Sequence, residues 1–179
     1  MSDKIKYLKE LDEQVGKLNK SLDIICVGGF ILEQYGLKST LDVDAFFTTT
    51  EDIYNIIEKI GEKYNINAPN GELWLNNNVM NLNKTPDTAF CKKMNMFNNI
   101  NVFTTDLDYV LGMKLISMRN KDIIDIAAII NYEKIQTPKE LKKRLLKYNF
   151  DDLDESLILE AFGEAYGIAW LEKYYKENY

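Results

Sequence analysis

Asp42 and Asp44 stand two residues apart around Val43, in a short run of the kind that forms a β-strand. Alternate strand residues point to one face, so the two carboxylates are expected side by side with Val43 packed behind them. Like charges this close repel unless a cation sits between them, and a donor set made only of oxygen suits Mg2+ or Mn2+. Upstream, Gly28-Gly29 follows an apolar run and can bring bare backbone N–H groups to the start of a helix, where an anionic phosphate is favoured. Ser39 and Thr40 lead into the aspartates and either bond phosphate oxygens or cap the turn before the strand. Singly, an Asp-x-Asp is also a solvated strand edge and a Gly-Gly only a tight turn. The joint spacing, with a short helix between that folds the glycines back against the carboxylates, points to phosphate and divalent metal meeting at one place.

Composition removes competing chemistries. The 179 residues contain no histidine, which excludes a Ser-His-Asp triad, a histidine general base and a histidine-ligated zinc or iron site. Cys26 and Cys91 are far apart and form no Cys-x-x-Cys pair, so a zinc cluster or a disulfide scaffold is not expected and a reducing cytoplasm fits. A net charge of −6 argues against a domain that wraps duplex DNA, whose affinity comes from many Lys or Arg contacts to phosphate. No run approaches the ~20 apolar residues of a membrane span, so neither signal peptide nor anchor is expected.

The elements that must position these residues follow from periodicity. Ile5, Leu8, Leu11, Val15 and Leu18 predict an amphipathic first helix ending near residues 19–21. A strand at 24–27, a turn at Gly28-Gly29 and a short helix over 30–35 come next, with Gly36 at the helix end. A second strand is expected at 42–47, and Thr48-Thr49-Thr50 followed by Glu51 and Asp52 supplies the cap and first-turn acids of a helix to about Tyr64. Residues 65–101 are rich in asparagine and broken by Pro69, Gly71 and Pro86, so only short strands are expected, near 72–75 and on either side of Asn98-Asn99. Ile100–Thr104 reads as a strand, and Asp106 caps a helix with Leu107, Val110, Leu111, Leu115 and Met118 on its apolar side. Asn120 marks a joint before a helix through Ile123, Ile126, Ala127 and Ile130. Thr137-Pro138-Lys139-Glu140 is a capping box, and one long helix is expected from about 154 to 176. The whole is an α+β chain: an α/β core over 1–105, then a helical region over 106–179 packed on it.

Gly-Gly, about a dozen residues, a basic or hydroxyl-bearing residue and Asp-hydrophobic-Asp together resemble the first motif of the nucleotidyltransferase superfamily with the DNA polymerase β-like fold. Within it the chain is most similar to small bacterial proteins related to the AbiEii abortive-infection toxins. Leu111-Gly112-Met113-Lys114-Leu115-Ile116-Ser117-Met118-Arg119-Asn120-Lys121-Asp122-Ile123-Ile124-Asp125 is similar to that group's Lys-Leu-x-Ala…Arg-x-(Arg/Lys)-Asp-x-x-Asp segment. The resemblance implies a small mixed sheet flanked by helices, followed by a helical C-terminal region. It implies that Gly28 and Gly29 hold a triphosphate, Asp42 and Asp44 bind magnesium, Lys114 meets phosphate charge and Asp122 is a late acidic residue. Read without it, Lys114 is a solvated helix residue, and Asp122 and Asp125 cap their helix or pair with Arg119 or Lys121. Many superfamily members carry a third carboxylate on a later strand, whereas Ile100–Thr104 has none and Asn76, Asn77 and Asn78 are amides. Either Asp122 supplies that function or the chain binds nucleotide and transfers poorly.

The implied reaction is attack by an acceptor hydroxyl on the α-phosphorus of a nucleoside triphosphate such as ATP, the acceptor being RNA, a protein or a small molecule. A toxin modifying tRNA or protein, with a cognate antitoxin, is the specific form the likeness suggests. A nucleotide-binding regulator without turnover and an acidic interaction module are the alternatives. Tyr166, Trp170, Tyr174 and Tyr175 on the last helix are read as core packing in preference to a base-stacking or partner surface, and Trp74 as a residue of the sheet core. Lys139, Lys142, Lys143, Arg144 and Lys147 form the one basic concentration, read as a solvated helix face in preference to an RNA contact.

Overall fold

Ile5, Leu8, Leu11 and Val15 fall on one stripe of α1, Asp3–Lys17, and all four are buried, as their spacing requires. The structure, a computed structural model, describes residues 3–81, 84–117, 119–150 and 152–178. The helix stops just before Leu18, which is exposed, because the chain turns through Asn19 at φ 52°. Asp12 on the same helix turns its buried carboxylate to the backbone N–H groups of Asn98, Asn99 and Ile100, at 3.1, 2.6 and 2.9 Å. A carboxylate accepting three backbone donors fixes the entry into a strand far away in sequence.

That strand belongs to a five-stranded mixed sheet. In chain order its members are β1 (Leu22–Cys26), β2 (Val43–Phe46), β3 (Leu75–Asn76), β4 (Lys92–Lys93) and β5 (Ile100–Thr104). Across the sheet they lie in the order β3-β2-β1-β5-β4. β1 is central, antiparallel to β2 with Cys26 opposite Ala45, and parallel to β5 with Ile24 opposite Val102. β3 runs parallel to β2 and β4 antiparallel to β5. Between β1 and β2 lies α2, Gly28–Gln34, so the glycines form the first turn of the helix rather than a turn ahead of it. Between β2 and β3 lies α3, Glu51–Tyr64, which opens on Thr50 and closes on Asn65 in the left-handed region. Trp74 is buried and donates its indole N–H to the Ile57 carbonyl at 2.9 Å, which ties the β3 segment to α3. These elements fall in one compact unit, Met1–Asp106.

The second unit, Leu107–Tyr179, is helical. It contains α4 (Leu107–Ser117), α5 (Ile123–Glu133), α6 (Pro138–Leu145), α7 (Glu155–Tyr166) and α8 (Ile168–Asn178). Met118, expected on the apolar side of α4, lies outside the described residues. Burial extends around most of α4, where Leu107 through Leu115 are all buried. Thr137 caps α6 as expected, its Oγ1 accepting from Glu140 N at 3.1 Å, whereas Glu140 Oε2 accepts from Gln136 N at 2.9 Å, one residue ahead of the N-cap N–H that a full capping box uses. The single long helix expected over 154–176 is instead α7 and α8, broken at Gly167, whose φ of 86° no continuing helix adopts. The break changes the fate of the aromatics. Phe162 stacks on Trp170 at 4.9 Å and Trp170 on Tyr174 at 5.2 Å, yet α8 has no buried residue among those described and Tyr175 is exposed. The expected aromatic core is a half-exposed ladder along α7 and α8.

Candidate active site

The C-terminal end of β1 and the start of β2 meet because Val27 N donates to the Asp44 carbonyl at 2.9 Å. α2 begins at the next residue. Gly28 has φ +61°, and a Cβ there would stand 3.0 Å from Asp44 Oδ2. A Cβ on Gly29 would stand 2.9 Å from Thr40 Oγ1. The two glycines therefore let the helix start lie flush against β2 on one side and the loop before it on the other. Thr40 donates its hydroxyl to Asp42 Oδ1 at 2.8 Å. Asn76 Nδ2 reaches Asp42 Oδ2 at 3.4 Å, and the same residue is the register partner of Asp44 across β2–β3. Asp42 immediately precedes β2 and Asp44 lies within it, both half-buried, while Val43 between them is fully buried. The expected strand over 42–47 is shorter, Asp42 standing in the bend ahead of it, and the two aspartates are related through Asn76, which lies beside both. Ser39 is exposed in the loop that leads to Asp42. Gly28, Gly29, Thr40, Asp42 and Asp44 form one neighbourhood within the first unit.

The donors fit a hard cation. Among the described residues no group of three or more Cys, Asp or Glu is gathered to hold a metal. Mg2+ needs no such cage, since it is commonly held by one or two carboxylates and completed by water and substrate phosphate. Two carboxylates with an amide beside them and a side-chain-free helix start next to them meet that requirement.

Strand order relocates the question of a third carboxylate. β5, searched for one in the sequence, lies beyond β1 and is not a neighbour of Asp44. The strands beside β2 are β1 and β3, and on the β3 side the residue in register with Asp44 is Asn76. A two-residue strand inside an asparagine run shows no alternation, so only the register identifies Asn76. Its Oδ1 accepts from Asn78 N at 3.2 Å, which helps set the orientation of the amide.

Lys114 and Asp122 come together within the helical unit. Lys114 Nζ lies 2.6 Å from Asp122 Oδ1 and 2.7 Å from Asp125 Oδ2, with side-chain exposures of 9%, 4% and 8% respectively. Arg119 Nε at 2.6 Å and Ser117 Oγ at 3.1 Å complete the surroundings of Asp122 Oδ2. Burial pushes the Asp122 carboxyl up, but the Lys114 and Arg119 hydrogen bonds and charges outweigh it and hold it below the usual carboxylate range. Lys114 is thus a buried ammonium between two carboxylates, not a solvated helix residue. The basic run is largely engaged as well. Arg144 pairs with Asp108 at 2.8 Å and Glu133 at 2.5 Å, Lys147 with Asp108 at 3.0 Å, and Lys142 with Glu155.

The profile of one protein family, described as "Nucleotidyltransferase of unknown function (DUF6036)", matches residues 5–177. The chain belongs to this nucleotidyltransferase family. The match runs through both units and includes every candidate residue named above. No curated protein and no solved structure matches the chain. Among the described residues no helix is long and apolar enough to cross a membrane.

Proposed function

We propose that the chain moves a nucleoside monophosphate from a nucleoside triphosphate to an acceptor hydroxyl, with Mg2+ or Mn2+ held by Asp42 and Asp44. The observation that carries this reading is the contact of Gly28 with Asp44, which leaves backbone but no side chain beside a carboxylate pair. The family membership supports transfer of a nucleotidyl group as the reaction class. When bound, the cation offsets charge on the α-phosphate and lowers the pKa of the attacking oxygen. Asp42 and Asp44 would hold the cation, and Thr40 keeps Asp42 oriented. The N–H groups of Gly28 and Gly29, with the Ser39 hydroxyl, face the diphosphate end, while the single Thr40 hydroxyl proton stays with Asp42. The acceptor oxygen bonds to the α-phosphorus, the bond from that phosphorus to the bridging oxygen breaks, diphosphate leaves and the hydroxyl proton passes to water.

Lys114 and Asp122 enter this proposal through the family likeness. Their burial with Asp125 supports a role in joining α4 to α5, and contact with phosphate is the further role to be tested. The likeness to AbiEii-type proteins extends the proposal to a toxin acting on tRNA or protein and held by a cognate antitoxin. A nucleotide-binding chain with little turnover is favoured by one observation, the amide of Asn76 in register with Asp44.

A thermal-shift titration with each nucleoside triphosphate, with and without Mg2+, tests the reading. At a ligand concentration of about 100 Kd, linkage stabilises the native state by about 2.7 kcal/mol. The shift is expected in wild type with Mg2+ and absent in the Asp42→Asn, Asp44→Asn double variant. An equal shift in that variant refutes the site. Diphosphate release on adding candidate acceptors then separates transfer from binding alone.

A further inference from the structure

The buried stripe of α1 begins with a lysine one turn ahead of Leu8, and solvent barely reaches it. Lys4 is 9% exposed, and its Nζ lies 2.8 Å from Glu33 Oε1 on α2. The same ammonium donates to the backbone carbonyl of Thr40. Thr40 is the residue whose hydroxyl holds Asp42 Oδ1 and whose side chain fills the space beside Gly29. Between α2 and β2 the chain forms no helix or strand, turns at Gly36 with φ +71°, and exposes Leu41 at 88%. Such a segment has little packing to order it, yet it must deliver Asp42 to within about 0.5 Å of a working position.

We propose that Lys4 is a positioning residue for the cation site, tying the Thr40 carbonyl to Glu33 of α2 so that the Thr40 hydroxyl aims Asp42. The proposal rests on the reading of Asp42 and Asp44 as that site. Lysine suits the task because its compact ammonium carries three donors on a flexible stem and can serve a carboxylate and a carbonyl lying in different directions. The order of contact is Lys4 to Thr40 to Asp42, so Lys4 acts only through another residue. It is the kind of outer support whose loss weakens a metal site without removing a ligand.

The test is a Mn2+ titration of the full chain, with free Mn2+ read by electron paramagnetic resonance and the fold checked by circular dichroism. Lys4→Met is expected to weaken Mn2+ binding about tenfold, the lower end of what loss of a ligand's supporting partner costs. Thr40→Val, which removes only the hydroxyl, is expected to weaken it by a similar factor, and Thr40→Ser to retain it. Because the two act in series, the Lys4→Met, Thr40→Val double variant should bind little worse than either single variant. Glu33→Gln, a milder change that leaves the lysine in place, should also weaken Mn2+. Wild-type affinity in folded Lys4→Met and Glu33→Gln variants overturns the proposal, as does a double variant whose losses multiply. Binding that survives the Asp42→Asn, Asp44→Asn variant overturns the underlying cation site, and this proposal with it.

Discussion

Replacing Lys114 by methionine separates a structural charge from a phosphate-binding one. The substitution keeps the stem and removes an ammonium that lies 2.6 Å from Asp122 and 2.7 Å from Asp125. Removing one partner of a buried pair costs about 3–5 kcal/mol because a charge is left uncompensated. Asp122 keeps Arg119 and Ser117, which limits the loss, so the lower end, about 3 kcal/mol, is expected. In a chain of this size that corresponds to a fall of roughly 6–12 °C in Tm. Urea unfolding at pH 7 measures it, and Asp125→Asn added to Lys114→Met should recover part of the loss, since it removes one of the two carboxylates that the ammonium served. A folded Lys114→Met variant within about 0.5 kcal/mol of wild type, the range of an ordinary surface change, refutes the structural assignment. If it also loses the nucleotide-dependent thermal shift, the lysine's function lies with phosphate instead.

Asp12→Ala should destabilise the first unit by about 3–4 kcal/mol, since three backbone N–H groups lose a charged acceptor, and hydrogen exchange should show Ile100 N–H deprotected. Asp122 has a depressed carboxyl, so its stabilisation is present above the unfolded-state value near 3.9 and is lost as pH falls through the lower folded-state value. Asp122→Asn should therefore narrow the stability difference from wild type as acid is added below about pH 4, read by thermal melts across that range. The Cys91 thiol, pushed up to about 11 by burial and by the charges of Asp106 and Asp87, should react slowly with a disulfide reagent at pH 7, and buried Cys26 only on unfolding.

Local chemistry made much of this fold legible. The α1 stripe, the opening of α3 after Thr48-Thr49-Thr50, the Thr137 cap and the burial of Val43 between two less buried aspartates each depend on residues a few places apart. What escaped depends on distant partners. The spacing of Tyr166, Trp170 and Tyr174 stays in helical phase across Gly167, so the pattern gave no sign that the backbone breaks there. Strands of two residues, as in β3 and β4, are too short for alternation to appear. At the site, the glycines and aspartates announced themselves by type and spacing, whereas Asn76 is identified only by register and Lys4 only by contact. A lysine at the head of an apolar helix stripe looks like a mere end of the pattern until the loop it holds is known.

The central place of β1 also governs when this unit can form. Its parallel partner β5 pairs Asp23 with Asn101, whose side chains are hydrogen-bonded across a sequence separation of 78 residues. Joining them costs about 4 kcal/mol of loop-closure entropy by the logarithmic law, before any constant. As the chain emerges during synthesis, α1 and β1 appear first but must wait for residues 98–104 before Asp12 finds its donors and β1 its second neighbour. Until then one side of an apolar strand, Ile24-Ile25-Cys26, is open to pairing with other chains. Fragments ending before Ile100 should therefore aggregate, and the first unit should become protease-resistant only once β5 has left the ribosome.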